Sequence, residues 1–429
     1  MIRLLYNLLF PVALIIFLPR YLLKMHRRGN YRRNVGQRFG IYDRELRARL
    51  TSASRTWIHA VSVGEVSIAL KLARKLRELD SAFTCVLTTT TTTGYAVAER
   101  EAAEWLDVLY NPLDFWPIMQ RAFAAIRPAR IVLVEAEVWP NLAAAARRRR
   151  VPLSLVNARL SPRSEAHFRR FRAAVAPTFR CLDLVCVQEP EDVDRWAGIG
   201  VPREVIHHTG SIKYDPTDAE ADAALAVDAL HSLGVDPGRP VLLGGSTHPG
   251  EEEILARVYL RLRAEFRDLL LILAPRHVER TADVHATIEQ LGLSVTLRTE
   301  TSAARDCLLL NTTGELRSWY SVATIVFVGK SLTAVGGQNP VEPIVAGKPV
   351  VFGPHMENFA ALSRALIAHD AAVQIADSGA LEDAIRRLLR DASARERFVA
   401  NAHAVLRSHR GATQRTAELV LACKSLAPQ

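Results

Sequence analysis

Glu65 is a carboxylate at a position where α/β proteins often carry out chemistry. A β-prone run at residues 57–61 precedes it, and apolar residues recur at helical spacing from Val66 onward. The turn between them contains Ser62 and Gly64, so the carboxylate is predicted at the carboxyl end of a strand, where open α/β sheets bind their ligands. The alternative is that Glu65 only stabilises the first turn of the helix, because a negative charge there complements the helix dipole.

Two further groups of charged residues follow predicted strands in the first half of the chain. Glu135 and Glu137 come after the strand predicted at 130–134 and could serve as acid and base, or could simply begin a helix. A basic run begins with Arg159 and Arg163 after the next predicted strand. Such a run usually forms a solvated helix face, but it could also bind a phosphorylated partner.

In the second half, a glycine-rich turn follows the strand predicted at 241–243 and could hold a phosphate. It contains Ser246, Thr247 and His248, and a helical pattern follows it. Glycines let the backbone approach an anion, and the N-terminus of a helix points free N–H groups at it. An ordinary helix capped by Ser or Thr would give the same pattern, so both interpretations stay open.

A second candidate phosphate site follows the strand predicted at 269–273. Pro275, Arg276 and His277 come shortly after the end of that strand. An arginine at a strand end can bind a phosphate through two parallel hydrogen bonds. A solvated surface arginine is the alternative.

Two more turns in the second half are predicted to begin helices. Asn339 occupies an N-cap position, with Pro340 and Glu342 where a capping box has its first and third helical residues. Glu342 could therefore be purely structural, but the two consecutive glycines before Asn339 are more than a cap requires. A similar capped turn at residues 311–316 joins a strand to a helix.

The composition describes a two-domain globular protein with a basic amino-terminal tip. At 429 residues, with 49% hydrophobic and 23% charged residues, the chain is too long for one typical core. The formal net charge is +10, but residues 1–40 contain eight Arg or Lys and no acidic residue, so the other 389 carry only +2. This distribution argues against a nucleic-acid-binding protein. The five cysteines and the histidines show no metal-ligand spacing, which predicts reduced thiols and no bound metal.

The first 25 residues are predicted to attach the protein to a membrane. Residues 4–19 contain no charged side chain, and seven basic residues follow between positions 20 and 38. A signal peptide would have its charge first and a cleavage site afterwards. By the positive-inside rule the body of the protein would stay cytoplasmic. A spanning segment is favoured over one that lies in the inner face of the membrane, and a buried core helix is a further alternative.

From residue 55 onward, predicted strands and helices alternate in two series, separated by a stretch with Gly, Pro and Asp at residues 209–220. The predicted strands lie at 57–61, 83–88, 108–110, 130–134, 153–156 and 184–187, and then at 241–243, 269–273, 294–297, 307–310, 325–328, 350–352 and 373–375. Alternation of this kind predicts parallel sheets covered by helices on both faces. The economical architecture is therefore two Rossmann-like domains facing a cleft.

Eight motifs, in order along the chain, resemble the 3-deoxy-D-manno-octulosonic acid (Kdo) transferases of Gram-negative bacteria. They lie at residues 59–65, 135–141, 157–161, 210–213, 245–252, 274–277, 314–316 and 337–343. Each motif alone is weak, but together they extend the resemblance over nearly the whole chain. Gln338 stands where many members have His, and Asn311 where Asp is common; both replacements are polar and leave the resemblance intact.

The resemblance implies a GT-B glycosyltransferase, an α/β protein with two Rossmann-like domains. Residues 1–25 would be a membrane-anchor helix, residues 26–210 an acceptor-binding domain, and residues 211–429 a CMP-Kdo-binding domain whose last helix could cross back to the first. Members transfer Kdo with inversion from CMP-Kdo to the lipid A precursor (lipid IVA) in lipopolysaccharide core biosynthesis, without a bound metal or a cofactor. The partners would be CMP-Kdo, the lipid A precursor and the anionic cytoplasmic face of the bacterial inner membrane, with no nucleic acid.

The resemblance also implies roles for individual residues. Glu65 would be the general base that deprotonates the acceptor hydroxyl, and Glu135 and Lys213 would support the transition state. Together with the turns described above, the residues expected to bind the donor are Ser246, Thr247, His248, Pro275, Arg276, His277, Gly314, Glu315, Leu316, Asn339, Pro340, Val341 and Glu342. Those expected to bind the acceptor are Ser62, Gly64, Arg159 and Arg163. Members that add one, two or more Kdo residues share these motifs, so the number transferred stays open.

Two other functions remain open. Another GT-B enzyme of envelope synthesis could use a UDP-sugar donor, which competition between cytidine and uridine nucleotides would reveal. A non-catalytic, membrane-anchored scaffold would show no nucleotide affinity and would tolerate replacement of Glu65.

Overall fold

The chain divides into two compact units, each built around a parallel sheet. The computed structural model describes residues 2–27, 34–136, 138–216, 223–303 and 305–424. Unit 1 comprises Met1–Asp215 and His409–Gln429, and unit 2 comprises Pro216–Ser408. The sequence placed the division between residues 210 and 211, whereas the units divide after residue 215. Glu137 and the basic residues at 28, 32 and 33 lie outside the described residues.

Unit 1 contains a seven-stranded sheet within the described residues, and every neighbouring pair of strands is parallel. Its strands are β1 (Arg55–Ala60), β2 (Cys85–Thr89), β3 (Leu106–Tyr110), β4 (Pro128–Val134), β5 (Leu153–Ala158), β6 (Leu184–Val187) and β7 (Ile206–His208), in the spatial order β3-β2-β1-β4-β5-β6-β7. Its helices before the crossing to unit 2 are α1 (Ile2–Arg27), α2 (Arg44–Thr51), α3 (Val63–Leu79), α4 (Thr92–Glu99), α5 (Trp116–Ile126), α6 (Pro140–Arg149), α7 (Pro162–Arg170), α8 (Arg172–Phe179) and α9 (Pro190–Gly198), with 3₁₀ helices at Val35–Phe39 and Arg203–Val205.

Unit 2 also contains a seven-stranded parallel sheet within the described residues, with a different strand order. Its strands are β8 (Val241–Thr247), β9 (Leu270–Pro275), β10 (Val295–Leu297), β11 (Cys307–Leu309), β12 (Ile325–Val328), β13 (Val350–Phe352) and β14 (Val373–Gln374), in the parallel order β10-β11-β9-β8-β12-β13-β14. Its helices are α10 (Ala223–Ser232), α11 (Glu251–Leu262), α12 (Thr281–Gln290), α13 (Leu316–Tyr320), α14 (Val341–Val345), α15 (Ala360–Ala368), α16 (Ser378–Arg390) and α17 (Ala392–Arg407), with 3₁₀ helices at Val278–Arg280 and Glu357–Phe359.

The central strands are buried on both faces, which is why they read as continuous apolar runs in the sequence. In β4, Ile131 and Leu133 pack in one buried cluster with Trp57, while Val132 and Val134 pack in the cluster on the other face. Helices therefore cover both sides of the sheet. Because the faces are covered, a ligand can contact each unit at the loops that follow the carboxyl ends of the strands.

β7 is the one strand of unit 1 that the sequence analysis missed, among the described residues. Only the first of its three residues is buried, and two exposed histidines, His207 and His208, follow Ile206. It is an edge strand that pairs with β6 alone. A strand that buries one side chain has no apolar pattern to recognise.

The chain returns to unit 1 at its end. The last helix, α18 (Ala412–Ala422), packs against α3. Ala417 and Val420 lie in the same buried cluster as Ala69 and Leu72 of α3. The last helix thus contributes to the core that supports the start of α3.

One face of α1 packs on unit 1. The Asn7 side-chain amide donates to Asn141 Oδ1 at 2.9 Å, and its oxygen accepts the Trp116 N–H at 3.0 Å. Phe10 stacks on Phe115, with the ring centroids 5.3 Å apart. Among residues 3–16, where the side chains of α1 are described, the large exposed apolar side chains are Leu4, Leu5, Leu8, Leu9, Val12, Ile15 and Ile16. The sequence had favoured a spanning segment, but among the described residues no helix has the length and apolar content that a membrane crossing requires.

Candidate active site

Glu65 lies in the first turn of α3, directly after the carboxyl end of β1. Ser62 is the N-cap of α3, and its hydroxyl donates to one Glu65 carboxylate oxygen at 2.9 Å. The other oxygen accepts the backbone N–H of Val61 at 2.9 Å. A carboxylate has about four acceptor positions, so these two bonds orient the group and leave positions for a substrate hydroxyl. Ser62 and Gly64, both exposed, flank the carboxylate on the turn.

Glu135 follows β4 and is the second carboxylate at this edge of the sheet. Its φ of 65° lies in the left-handed region, which residues with a side chain rarely adopt. Its N–H donates to the Val156 carbonyl at 3.0 Å, which fixes the turn against β5. Burial raises the pKa of the Glu135 carboxyl, and the negative charge of Glu65 raises it further. The two carboxylates are therefore electrostatically coupled.

Lys213 and Arg159 supply positive charge beside Glu135. Both lower the pKa of the Glu135 carboxyl, against the effects of burial and of Glu65. Burial lowers the pKa of the Lys213 ammonium, Glu135 raises it, and Arg159 lowers it. Four separate segments of unit 1 thus bring two carboxylates and two cations into one region. Arg163 is exposed in the first turn of α7 and is not among the charges that shift the pKa of Glu135.

The segment that carries Lys213 is fixed by Asn157, a residue whose role the sequence analysis did not identify. Asn157 is buried with a φ of 51°, and its side-chain oxygen accepts the Ile212 N–H at 2.9 Å and the Ser211 hydroxyl at 3.3 Å. Its own carbonyl accepts the Gln188 side-chain amide at 2.8 Å. Asn adopts left-handed backbone more readily than most residues, so an Asn at a strand end was the available signal.

In unit 2, β8 extends to Thr247, so Ser246 and Thr247, which were predicted in a turn, are the last residues of the strand. Residues 248–250 connect it to α11. Ser246 has a φ of 53°, and Gly250, the N-cap of α11, has a φ of 90°. Thr247 is buried, and its hydroxyl donates to Glu252 at 2.9 Å, so this side chain is committed to the fold. The Thr247 carbonyl accepts the Arg276 N–H at 3.0 Å, which joins this turn to the one after β9.

His248 extends from the same turn towards two other predicted residues. The Gln338 side-chain nitrogen lies 3.2 Å from His248 Nε2, which makes Gln338 the donor and the imidazole nitrogen the acceptor. The His248 and His277 rings meet edge to face, with centroids 5.9 Å apart. Burial lowers the pKa of His248, which favours the neutral ring that this hydrogen bond requires. Gln338, the departure from the family pattern, is thus bonded inside the predicted donor site.

Glu251 is a residue of this site that the sequence analysis did not single out. Its side chain is fully buried, yet no cation neutralises it among the described partners of its carboxylate. Instead the carboxylate accepts four backbone N–H groups, those of His248, Lys330, Ser331 and Leu332, at 2.8–3.0 Å. It therefore holds the turn after β8 against the turn after β12. The sequence shows only three consecutive glutamates at a helix start, which usually indicates a dipole effect.

Arg276 and the residues on either side of it lie at the carboxyl end of β9. Pro275 is the buried last residue of the strand, whereas Arg276 and His277 are exposed. Arg280, four residues later, instead pairs with buried Glu252, with Nη1 2.8 Å from Oε1. The two arginines therefore differ: the Arg276 side chain is exposed for an anion, and the Arg280 side chain neutralises a buried carboxylate.

The predicted turn at Gly314, Glu315 and Leu316 starts α13. Gly314 has a φ of 89° and nothing near the position that a Cβ would occupy. Glu315 lies 3.2 Å from Arg298 Nε, so its carboxylate is held by a salt bridge. Leu316 is half-buried and packs against the apolar cluster of this unit.

The conformation of the turn at residues 336–342 explains why two consecutive glycines occur there. Gly336 and Gly337 have φ values of 132° and 70°, and a Cβ on Gly337 would lie 2.5 Å from Met356 Sδ. Both a left-handed backbone and a close neighbour therefore require glycine there. The predicted cap is displaced by one residue: the N-cap of α14 is Pro340, not Asn339, although the Asn339 side chain accepts the Val341 N–H at 3.0 Å.

Glu342, in the first turn of α14, has partners from two elements. The Asn339 side-chain amide donates to it at 3.3 Å, and Arg317 of α13 lies 3.7 Å from the same oxygen. The turns before α13 and α14 are thereby linked within unit 2. Within the described ranges, no group of three or more His, Cys, Asp or Glu side chains is arranged to hold a metal ion.

Comparison with known proteins identifies close relatives of this chain. The sequence pattern of the 3-deoxy-D-manno-octulosonic-acid transferase (kdotransferase) domain matches residues 33–216. The 3-deoxy-D-manno-octulosonic acid transferase of Haemophilus influenzae is 32% identical over 397 residues, which cover 91% of this chain and 91% of that protein. The protein of the same name from Bordetella pertussis is 35% identical over 382 residues, covering 86% of this chain and 87% of that protein.

Solved structures resemble the fold at much lower sequence identity. The UDP-GlcNAc 2-epimerase from Neisseria meningitidis, bound to UDP-GlcNAc, aligns with a TM-score of 0.55 and 10% identity, over 86% of this chain and 100% of that chain. At this identity the likeness concerns the fold alone. The two units are thus parallel-sheet α/β domains of the kind found in GT-B proteins.

Proposed function

This chain belongs to the 3-deoxy-D-manno-octulosonic acid (Kdo) transferase family and is a glycosyltransferase of lipopolysaccharide biosynthesis, and we propose that it transfers Kdo from CMP-Kdo to lipid IVA. The transfer inverts the anomeric configuration and uses neither a metal ion nor a cofactor besides the donor. The observation that carries this proposal is that Glu65, Glu135, Arg159 and Lys213 follow β1, β4, β5 and β7 at one edge of the unit 1 sheet, where their charges interact.

Glu65 acts as the general base. In a single inverting displacement the acceptor hydroxyl attacks the anomeric carbon and loses its proton, while the bond from that carbon to the phosphate breaks and CMP leaves. The carboxylate has donors from Val61 and Ser62 that stabilise its negative charge, and it retains acceptor positions for the hydroxyl. General-base assistance of this kind is typically worth about 10²–10⁴-fold in rate.

Lys213 and Glu135 support the transition state. As the donor bond breaks, positive charge builds on the sugar and negative charge on the phosphate, and preorganised charges stabilise both. Lys213 and Arg159 provide the positive charges, and Glu135 raises the pKa of Lys213 and so favours its charged form. Two carboxylates balanced by two cations keep this edge of the sheet close to neutral before an anionic substrate arrives.

Unit 2 binds the CMP part of the donor. Its support is a set of strand-end turns with left-handed residues, such as Ser246, close to the start of α11 and to the exposed Arg276 side chain. Helix N-termini and arginine are the usual ligands for phosphate in proteins. The turns at Gly314 and Glu342 supply the remaining contacts to the nucleotide. These positive and partially positive groups neutralise the leaving phosphate, a task for which other enzymes use a cation.

The acceptor binds on the unit 1 side. Lipid IVA carries phosphates and acyl chains, so its site requires positive charge near a lipid surface. Arg159 and Arg163 are exposed, and Ser62 and Gly64 form the exposed turn beside the base. Arg169, further along the same run, is already paired with Glu165 at 2.9 Å. We therefore assign acceptor binding to Arg159 and Arg163, at the start of this basic run.

The protein attaches to the cytoplasmic face of the inner membrane through α1. The Leu4 and Leu8 side chains are 75% and 72% exposed, on a helix whose other face is fixed to the body by Asn7 and Phe10. Burial lowers the pKa of Arg148 in α6, and the nearby charges of Arg3 in α1 and Arg149 lower it further, so the apolar side chains lie beside clustered positive charge. This combination suits an amphipathic helix in the surface of an anionic bilayer.

The experiment that tests the function measures CMP release by the full chain in detergent, with freshly generated CMP-Kdo, in the presence and absence of lipid IVA. We expect release that depends on the lipid, and a product whose mass has increased by one or more Kdo units. UDP-sugars replace CMP-Kdo in a parallel reaction. Lipid-dependent turnover of a UDP-sugar, with none of CMP-Kdo, would contradict the proposed donor.

Vesicle sedimentation tests the attachment. The full chain should sediment with vesicles that contain anionic lipid and stay in the supernatant with neutral ones at raised salt. Leu4→Ser with Leu8→Ser should abolish sedimentation without a change in unfolding midpoint. Undiminished sedimentation of this double variant would place the membrane-binding surface elsewhere on the protein.

A further inference from the structure

The loop that carries Lys213 is bonded to a buried histidine from the other end of the chain. The Ser211 backbone N–H donates to His409 Nδ1 at 3.2 Å, across almost two hundred residues of sequence. Both residues are buried, so no water can replace the bond if it is lost. Ser211 is two residues before Lys213, and the loop has no strand or helix of its own to fix its conformation.

His409 can accept this hydrogen bond only if Nδ1 carries no proton. Burial lowers the pKa of His409 to about 4, with further lowering from His208 and Arg415, while Asp215 acts in the opposite direction. The ring is therefore neutral near pH 7, with its proton on Nε2, which lies 3.7 Å from Glu189. The burial that keeps His409 neutral also keeps it an acceptor for the loop.

Further hydrogen bonds join both ends of the same loop to the same part of the chain. The Asp215 carboxylate accepts the N–H groups of Gly411 and Thr413, both at 2.8 Å, at the start of α18. At the other end, the Thr209 carbonyl accepts Arg415 Nη2 at 2.6 Å. The loop from residue 209 to residue 215 is thus held at its start, its middle and its end by residues 409–415.

The same C-terminal segment also contacts the element that carries Glu65. α18 packs against α3, and Lys71 of α3 donates to the Ile212 carbonyl at 3.2 Å. Helix α3 with Glu65 in its first turn, the loop that carries Lys213, and residues 409–415 therefore form one connected structure inside unit 1. A shift of the C-terminal segment would move the lysine relative to the carboxylate.

We propose that His409 is a positioning residue that sets the place of Lys213 through its hydrogen bond to the Ser211 N–H. The inference rests on the proposed role of Lys213 in transfer. His409 itself is buried and touches no substrate; it acts through the loop. A misplacement of about 1 Å in a catalytic group costs on the order of 10²-fold in rate, so loss of the bond should lower kcat far more than it changes substrate binding.

The test compares His409→Leu with His409→Asn. Leucine removes the acceptor, whereas the Asn side-chain oxygen can occupy the position of Nδ1 and accept the Ser211 N–H. We expect H409L to lower kcat for Kdo transfer by about 10²-fold, with KM for CMP-Kdo and for lipid IVA changed by less than about threefold. H409N should recover most of kcat. A general packing defect would instead reduce both variants.

A second measurement separates this inference from the proposed function. In a double-mutant cycle, H409L is combined with Lys213→Gln, and the two effects on kcat should not add, because both act through the same lysine. If K213Q keeps full kcat, the proposed role of Lys213 fails. If K213Q is impaired but H409L is not, or if the two effects multiply, the positioning role of His409 is wrong.

Should H409L fail to fold, Arg415→Gln replaces it in the same cycle. This change removes the guanidinium that donates to the Thr209 and Arg410 carbonyls, and a shorter side chain takes its place while His409 is unchanged. We expect a kcat loss in the same direction that is absent in the K213Q background. Full kcat in folded R415Q, beside an inactive K213Q, would show that the C-terminal segment does not position the lysine.

Discussion

Ser62 and Glu65 are bonded to each other in both directions across the first turn of α3. The Ser62 hydroxyl donates to the Glu65 carboxylate at 2.9 Å, and the Glu65 backbone N–H approaches the same hydroxyl at 3.4 Å. This is the reciprocal arrangement of a capping box, with the carboxylate reaching the N–H of Val61 in place of the N-cap's own. The Glu65 side chain therefore has two roles, as part of the helix cap and as the proposed general base. The cap orients the group, and orientation is what a base requires.

Replacement of Glu65 by Gln should separate the two roles. Glutamine can still accept the Val61 N–H and bond to the Ser62 hydroxyl, so the helix start should persist. It cannot take a proton, and we expect kcat for transfer to fall by about 10²–10⁴-fold, with CMP affinity unchanged. Transfer is measured as CMP release, and CMP affinity by calorimetry.

Glu78→Gln is the matched control for this prediction. Glu78 is an exposed glutamate near the other end of α3, paired only with Lys75 in the described contacts. The same chemical change there should leave turnover unchanged. Turnover by E65Q equal to that of E78Q would remove Glu65 as the base.

Arg276→Ala should weaken nucleotide binding without loss of stability. The side chain is exposed and no described ion pair or side-chain hydrogen bond holds it, so its removal leaves no buried group without a partner. Loss of a charged hydrogen bond to a phosphate should weaken CMP binding by about 10- to 100-fold, or roughly 1.5–3 kcal/mol. Calorimetry with CMP measures the affinity, and lipid IVA affinity should change less.

Arg280→Ala gives the opposite pattern. It leaves the Glu252 carboxylate, which is 2% exposed, without its cation. Breaking a buried pair in this way typically costs about 3–5 kcal/mol of stability, which urea unfolding would detect. Equal effects of R276A and R280A on stability and on CMP affinity would mean that Arg276 has no separate role in binding.

Glu251→Gln should destabilise unit 2, although the charge it removes has no cationic partner in the described structure. The amide that replaces one carboxylate oxygen would point N–H groups at backbone N–H donors, including those of Lys330 and Ser331. We expect a loss of about 3 kcal/mol in the free energy of unfolding, measured by urea titration. Glu253→Gln changes a partly exposed side chain in the same turn, whose described partner is Arg257 one turn along the helix, and should cost less than about 0.5 kcal/mol. Similar stability of the two variants would contradict the structural role of Glu251.

The sequence predicted those parts of the fold that depend on local patterns. Strands such as β6 and β12 are short apolar runs between turn residues, and both have the predicted bounds. The turn residues around Glu65 and Arg276 could also be placed at strand ends, because a strand followed by a helix fixes the position of the loop between them.

What the sequence could not supply is the set of long-range bonds that hold these turns. Nothing near Ser211 in the chain predicts a bond to His409, and nothing near Lys330 predicts one to Glu251. Local patterns carry information on neighbours within a helix turn or a strand repeat, whereas these partners meet only after the sheet has formed. The positioning residues were therefore missed although the residues they position were named.

Asp114 is a buried carboxylate that connects α1 to the start of α6. Its carboxylate accepts the N–H groups of Asn141 and Leu142 at 3.0 and 2.8 Å, and the Tyr6 hydroxyl of α1 donates to it. Burial nevertheless raises the pKa of Asp114 to about 6 from an ordinary value of 3.8, with these hydrogen bonds acting in the opposite direction. The folded protein therefore binds a proton at the Asp114 carboxyl more tightly than the unfolded chain does.

The sign of the stability effect follows from that difference. A raised carboxyl pKa contributes stability that is fully present below the unfolded value and is lost as the pH rises through the folded value. Relative to Asp114→Asn, the free energy of unfolding of the natural protein should fall by roughly 2 kcal/mol between about pH 4.5 and about pH 7.5. A pH-independent offset from the new amide does not affect this difference.

Tyr6→Phe removes a donor that lowers the Asp114 pKa, so it should move the decline in stability to higher pH. Urea unfolding of the three proteins across this range measures the effect, and parallel curves for the natural protein and D114N would show that Asp114 does not titrate in the folded state.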